Sequence, residues 1–228
     1  MDFSEWEPVY EAILADFGFD RAGDERARDE LAALVTSPYR PDNDRFTGQS
    51  VAVAGAAPTL ESEADLARDA DAVVAASTAA DRLVAAGVDV DWVVTDLDKH
   101  GERVAAFTRE GTPVAVHAHG DNRDLLAEHV PDCDVERLLP TTQAAPVDPV
   151  VNYGGFTDGD RAAFLADRLG AADLVFPGWD FEAATGPKAR KLAWAERLLY
   201  WLERRRGERF AVLDGRRGAI DTAWLPVE

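Results

Sequence analysis

Asp91-Trp92-Val93-Val94-Thr95-Asp96-Leu97-Asp98 is the stretch on which the reading of this 228-residue chain turns. The β-branched pair Val93 and Val94 reads as a short buried strand, which runs straight into two carboxylates separated by one apolar residue. Asp96 and Asp98 would then stand at the carboxyl end of a strand, the edge where open α/β sheets bind ligands. Two acids placed there suit a divalent metal. The plainer alternative is a helix N-cap followed by a solvated acid.

Working outward, the same strand-then-helix rhythm appears on both sides. Upstream, Ser50-Val51-Ala52-Val53-Ala54 reads as a strand, followed by the small-residue turn Gly55-Ala56-Ala57-Pro58-Thr59-Leu60-Glu61 and a helix to about Arg68. That order points backbone N–H groups at an anion, or serves only as a packing device. A second strand spans 71–78 with a helix over 79–86 behind it, stopped by Gly87. Downstream, Lys99 and His100 follow the acidic pair; Lys99 is either a phosphate contact or a surface lysine. A helix over 101–111 leads to the strand Pro113-Val114-Ala115-Val116 and the polar cluster His117-Ala118-His119-Gly120-Asp121-Asn122. His117 and His119 alternate by two, which would permit joint metal binding. A magnesium or phosphate role for Asp121 is the preferred reading, and a capped turn is the third.

After a helix over 123–130 and a strand at Leu138-Leu139 comes Val151-Asn152-Tyr153-Gly154-Gly155-Phe156-Thr157-Asp158-Gly159-Asp160-Arg161, entering an amphipathic helix through Ala162, Leu165 and Leu169. Glycines there let backbone approach a ligand, while Asp160 or Thr157 can cap the helix. A strand begins at Asp173, a long helix covers 186–206, and Phe210-Ala211-Val212-Leu213 reads as a last strand. The fold class is therefore α/β: a mainly parallel sheet with helices on both faces. Its strand ends, at Gly55, Thr95, His117 and Tyr153, are expected along one edge. Ahead of it stands a helical appendage over 1–45, its faces marked by Trp6, Val9, Ile13, Leu14 and Phe17 and by Ala27, Leu31 and Leu34; the catalytic domain is expected over 46–228.

Composition narrows the functions. Asp and Glu number 43 against 24 Lys and Arg, a formal charge of -19 that repels nucleic acid and anionic membrane. The same excess suits a protein adapted to high salt. Cys133 is the only cysteine, so an intrachain disulfide and a Cys-rich zinc site are excluded. No apolar run approaches the roughly 20 residues of a membrane span, and no secretory leader is recognisable. The expectation is a soluble cytoplasmic protein. There is no Gly-x-Ser-x-Gly elbow and no complete Walker A sequence, which disfavours acyl transfer and ordinary P-loop chemistry. Carboxylates at strand ends with backbone-rich loops suit Mg²⁺ and a nucleoside triphosphate.

Together, Gly55-Ala56-Ala57-Pro58-Thr59-Leu60, Thr95-Asp96-Leu97-Asp98, His117-Ala118-His119-Gly120-Asp121-Asn122 and Gly155-Phe156-Thr157-Asp158-Gly159-Asp160-Arg161-Ala162 resemble the archaeal 6-hydroxymethyl-7,8-dihydropterin pyrophosphokinase family. That family is distantly similar in its core to thiamin pyrophosphokinases. The resemblance covers nearly the whole chain, including the start from Trp6 to Leu14. The family loop reads Gly-x-Gly-Pro-Ser-Leu; here Thr59 keeps the hydroxyl, whereas Ala57 gives up glycine's freedom at positive φ.

The resemblance implies transfer of diphosphate from ATP to the hydroxymethyl group of a reduced pterin, with release of AMP, in folate-type or tetrahydromethanopterin-type biosynthesis. It implies Mg²⁺ held by Asp96, Asp98 and Asp121, which are also the catalytic set. It implies ATP binding by Gly55, Ala56, Ala57, Pro58, Thr59, His119 and Asn122. Gly155, Phe156, Thr157, Asp158, Asp160 and Arg161 would grip pterin and phosphate. The base could be either carboxylate or a histidine of the His117 cluster. Thiamin or another alcohol as acceptor, and a nucleotide-binding module without catalysis, are the alternatives. The partners expected are ATP and a reduced pterin, with a homodimer left open.

Overall fold

A computed structural model describes residues 1–99 and 101–226; His100, Val227 and Glu228 lie outside the described residues. In chain order the elements are α1 (Phe3–Phe17), α2 (Arg21–Leu34), β1 (Ser50–Ala54), α3 (Ala64–Arg68), β2 (Ala72–Ala76), α4 (Ala79–Ala85), β3 (Trp92–Thr95) and α5 (Gly101–Arg109). They continue as β4 (Val114–Ala118), α6 (Arg123–His129), β5 (Leu138–Thr142), α7 (Asp158–Arg168), β6 (Asp173–Val175) and α8 (Gly186–Arg206). The class is α/β, and the strands pair in parallel within each of two compact units. One unit is Met1–Asp42 with Asp91–Gly154; the other is Asn43–Val90 with Gly155–Glu228.

In the first unit β4 lies between β3 and β5, with Val93 opposite Val114 and Val114 opposite Leu138. All five residues of β4 are buried. Because successive side chains point to opposite faces, the strand must be covered on both. Helix α2 packs on β4 and β5, and α5 on β4. The N-terminal helices form as their spacing predicts. Asp2 and Glu5 make a reciprocal capping box on α1, Gly18 ends it at φ 71°, and Trp6, Val9, Tyr10, Ile13 and Leu14 are buried. The stripe of α2 differs from expectation: Leu34 is exposed, and the buried positions are Asp24, Ala27 and Leu31. The helix ends at Leu34, so the stripe is completed one turn earlier, by an acid.

In the second unit β1 lies between β2 and β6, with Val51 opposite both Ala72 and Leu174. Helix α7 packs on β1 and β2, α3 on β1 and α4 on β2, while α8 lies against α7. Phe164 and Trp201 bring their rings to 5.9 Å across that helix pair. Burying an aromatic of this kind contributes roughly 1.5–3 kcal/mol. The strand expected at 210–213 is instead a 3₁₀ turn, Ala211–Leu213. The Phe210 amide donates to the Glu203 carboxylate at 2.6 Å, and the turn buries Phe210 and Leu213 together, three residues apart. Among the described residues no helix is long and apolar enough to cross a membrane.

Candidate active site

In the first unit, the ends of β3, β4 and β5 lie along one edge, as parallel pairing requires. At the end of β3 the chain turns through Leu97, which has φ 67° and is 2% exposed. A left-handed backbone is costly for a residue with a Cβ, by roughly 1–2 kcal/mol. Three features hold it. The Leu97 side chain is buried, its amide donates to Thr95 Oγ1 at 3.0 Å, and the Asp98 amide donates to Asp96 Oδ1 at 3.2 Å. The outcome is a pair of carboxylates with oxygens within 4.8 Å of each other. Such hard oxygen donors fit Mg²⁺. Asp96 is half-buried and Asp98 exposed, with Lys99 Nζ at 3.8 Å from Asp98 Oδ2.

The loop after β4 supports this turn. Asn122, 2% exposed, donates from Nδ2 to the carbonyls of Asp96 (2.8 Å) and His117 (2.7 Å), and its Oδ1 accepts from the His119 amide at 3.0 Å. His119 places Nε2 at 3.3 Å from Asp96 Oδ2. The two histidines differ in setting. His117 is buried with Nδ1 at 3.0 Å from Thr141 Oγ1 on β5, whereas His119 meets the Asp96 carboxylate. Asp121 is exposed. Among the described residues, neither it nor either histidine belongs to a group of three acids or imidazoles close enough to share one ion.

In the second unit the turn after β1 is built mainly by the chain upon itself. The Gly55 and Ala57 amides donate to the carbonyls of Pro177 and Gly178, each at 2.9 Å. A Cβ at Gly55 would meet Gly178 O at 2.5 Å, so on that side the close approach that glycine permits is to backbone. Ala57 has no positive φ, so its Cβ meets no left-handed backbone cost there. Pro58 is exposed, and the helix begins only at Ala64. Arg82 clamps the turn, donating to the Ala56 and Ala57 carbonyls at 2.8 and 3.1 Å and pairing with Glu61 at 2.5 Å. Arg82 holds the Glu61 carboxyl down to about 2. Two hydroxyls at this edge, Thr59 Oγ1 and Ser77 Oγ, are buried with no hydrogen-bond partner among the described residues. Ser77 follows the end of β2 with φ 50°. Buried hydroxyls are ordinarily satisfied, by protein, by ordered water or by a ligand.

The 155–161 turn divides its residues between two tasks. Asp160 is fully buried and accepts from the Phe156 amide, the Thr157 amide (3.0 Å) and Thr157 Oγ1 (2.7 Å), fastening the turn to the start of α7. Burial raises its carboxyl above the usual range, against the pull of those donors. Gly155, at φ 95°, lies so close to the first turn of α7 that a Cβ would stand 2.7 Å from Arg161 backbone. Phe156 is buried and Thr157 half-buried. Asp158 and Arg161, paired at 3.1 Å with side chains 13% and 7% exposed, are the polar groups that this packing does not account for. Sequence reasoning passed over Leu97, Arg82 and Asp24. Of these only Asp24 left a signal, an acid at helical spacing from Ala27 and Leu31.

A family model described as "6-hydroxymethylpterin diphosphokinase MptE-like" matches residues 27–186. Curated relatives named 6-hydroxymethyl-7,8-dihydropterin pyrophosphokinase match over most of their length. That of Methanothermobacter thermautotrophicus is 37% identical over 225 residues, 90% of this chain and 96% of the relative. That of Pyrococcus furiosus is 37% identical over 223 residues, covering 89% and 95%. The Methanocaldococcus jannaschii protein is 29% identical, covering 89% and 96%. With the acidic turn, its supporting loop and these matches in agreement, the chain belongs to the 6-hydroxymethylpterin diphosphokinase MptE-like family.

Proposed function

We propose that the chain is a pyrophosphokinase that transfers the β,γ-diphosphate of ATP to the hydroxymethyl oxygen of 6-hydroxymethyl-7,8-dihydropterin, releasing AMP for a folate-type or tetrahydromethanopterin-type pathway. The alcohol oxygen bonds to the β-phosphorus, the bond to the α,β-bridging oxygen breaks, and AMP departs with its electron pair. The alcohol proton passes to the Asp96 and His119 pair, whose atoms lie 3.3 Å apart. Mg²⁺, when bound, neutralises charge on the triphosphate, and Asp96 and Asp98 are its proposed holders, with the exposed Asp121 outside that pair. Thr59 and Ser77 are proposed to donate their unpartnered hydroxyls to phosphate oxygens. Asp158 and Arg161 are the proposed polar contacts of pterin and phosphate, on the frame that Asp160 fastens.

The observation that carries the reading is the Asp96-Leu97-Asp98 turn. A left-handed leucine is retained where its effect is to set two carboxylates side by side. The names of the curated relatives support a reduced pterin as acceptor. The test is AMP release from ATP and Mg²⁺ in high salt, with and without 6-hydroxymethyl-7,8-dihydropterin. AMP that depends on the pterin, without ADP, is expected. AMP with thiamin but not pterin would reassign the acceptor, and ATP binding with no AMP for any acceptor would make the chain a binding module.

A further inference from the structure

We propose that Asp24, on the second N-terminal helix, is a positioning residue for diphosphate transfer: through the Gly120 amide it holds the loop that fixes Asp96. The inference rests on the reading of the site given above.

Asp24 takes an apolar position on α2. It falls on the buried stripe with Ala27 and Leu31 and is 4% exposed. Removing a carboxylate from water to this degree costs several kcal/mol unless donors replace the lost hydration. Three do. Tyr10 Oη and Gln143 Nε2 donate to Oδ2 at 2.8 and 2.7 Å, and the Gly120 amide donates to Oδ1 at 2.8 Å. An alanine or leucine would continue the stripe and cover the same core. What neither could supply is the acceptor for Gly120. The helix also touches the loop directly: a Cβ at Gly23 would stand 3.4 Å from Gly120 Cα.

Gly120 lies inside the cluster that supports the acidic turn. On one side His119 brings its ring to Asp96 Oδ2 and its amide to Asn122 Oδ1. On the other, Asn122 holds the carbonyls of Asp96 and His117. The path from Asp24 to Asp96 is thus the Gly120 amide, two residues of loop and one side-chain amide, all hydrogen-bonded. Partners that orient a ligand in this way are typically worth 10–100-fold in metal affinity or activity. Tyr10 provides the internal control, because its hydroxyl meets Oδ2 and leaves the Oδ1 bond to Gly120 in place.

The experiment compares Asp24→Ala, Asp24→Asn and Tyr10→Phe under conditions where each is folded. Three quantities are read: hydrogen exchange at the Gly120 amide, Mg²⁺ binding by calorimetry, and AMP release resolved into kcat and KM. Asp24→Ala should expose the Gly120 amide, weaken Mg²⁺ binding and lower kcat by about tenfold or more. KM for the pterin should stay within about twofold. Tyr10→Phe should lose thermal stability yet keep all three. Asp24→Asn, which retains an acceptor oxygen, should recover most of kcat. Should Asp24→Ala fail to fold, Gly120→Pro removes the donating amide itself with the Asp24 partners Tyr10 and Gln143 intact, and should give the same losses of Mg²⁺ binding and kcat. Equal losses of kcat in Tyr10→Phe, or unchanged kcat and Mg²⁺ binding in Asp24→Ala, would overturn the inference. A folded wild type that releases no AMP removes the functional reading instead, and the exchange and Mg²⁺ measurements then decide the positioning alone.

Discussion

Replacing Leu97 by alanine and by glycine separates two opposed contributions to the acidic turn. The leucine side chain is 2% exposed, so truncation to alanine removes buried contacts and leaves a cavity, at a cost of about 2–5 kcal/mol. Alanine keeps its Cβ and therefore keeps the cost of φ 67°, roughly 1–2 kcal/mol. Glycine loses the side chain too but is released from that cost, while its freer unfolded chain works against it by about 0.5–1 kcal/mol. At an ordinary backbone position glycine would be the less stable of the two by that last amount. Here the signs nearly cancel or reverse: Leu97→Gly should be as stable as Leu97→Ala, or more stable by up to about 1.5 kcal/mol. Urea denaturation of both variants at one salt concentration, with equal m-values, measures the difference directly. Glycine less stable than alanine by 1 kcal/mol or more would mean that the left-handed leucine stores no strain, and the argument that the turn is held for its carboxylates would lose its support.

Four further outcomes follow from the same structure. Asp96→Asn should lower AMP formation by about 100-fold or more with little change in melting temperature, because Asn122 holds the Asp96 backbone carbonyl and not its side chain; near-normal turnover would remove the metal assignment. Gly155→Ala should destabilise by about 2–4 kcal/mol, combining a positive φ with a Cβ 2.7 Å from Arg161 backbone, as calorimetry or urea titration would show. Glu61 titrates near 2 in the folded chain against an ordinary 4.5, so its pairing with Arg82 stabilises fully above pH 4.5 and is lost as pH falls toward 2; the stability gap between wild type and Glu61→Gln should close across that window, and a gap that widens on acidification would contradict the pairing. With a formal charge of -19, the melting temperature should rise between roughly 0.1 and 1 M KCl as the Debye length falls from about 10 to 3 Å; a fall would show that self-repulsion is not what limits stability.

The frame was legible because it depends on patterns that sequence carries directly. Buried β-branched and alanine runs followed by helical segments, with glycine stops at Gly87 and Gly111, specify βα units, and α8 (Gly186–Arg206) and β1 (Ser50–Ala54) fall at the expected bounds. The failure at 210–213 shows the limit of that signal. Four apolar residues read equally as a strand or as a tight turn, and what decides is a carboxylate seven residues earlier, Glu203, which takes the Phe210 amide. Leu34 fails for a related reason: periodicity says which face is apolar but not where the helix stops needing it.

The site divides along a different line. Polar side chains at strand ends, Asp96, Asp98, His119 and Asn122, could be picked out from the sequence, and the structure gathers them into one hydrogen-bonded turn and loop. Residues that act through backbone could not be ranked in that way. Gly55 and Gly155 look like openings for a ligand, yet each admits another stretch of the chain, Gly178 in one case and the first turn of α7 in the other. Asp160 looks like a ligand contact and is enclosed by the amides it caps. Leu97 looks like nothing, since a leucine between two acids carries no mark of the left-handed geometry that burial imposes on it. A glycine-rich loop is thus an ambiguous signal until its carbonyls are placed, because the freedom that lets phosphate approach serves equally for chain packing on chain. Here two amides of the turn, those of Gly55 and Ala57, are bonded to Pro177 and Gly178, while the hydroxyls of Thr59 and Ser77 have no hydrogen-bond partner among the described residues.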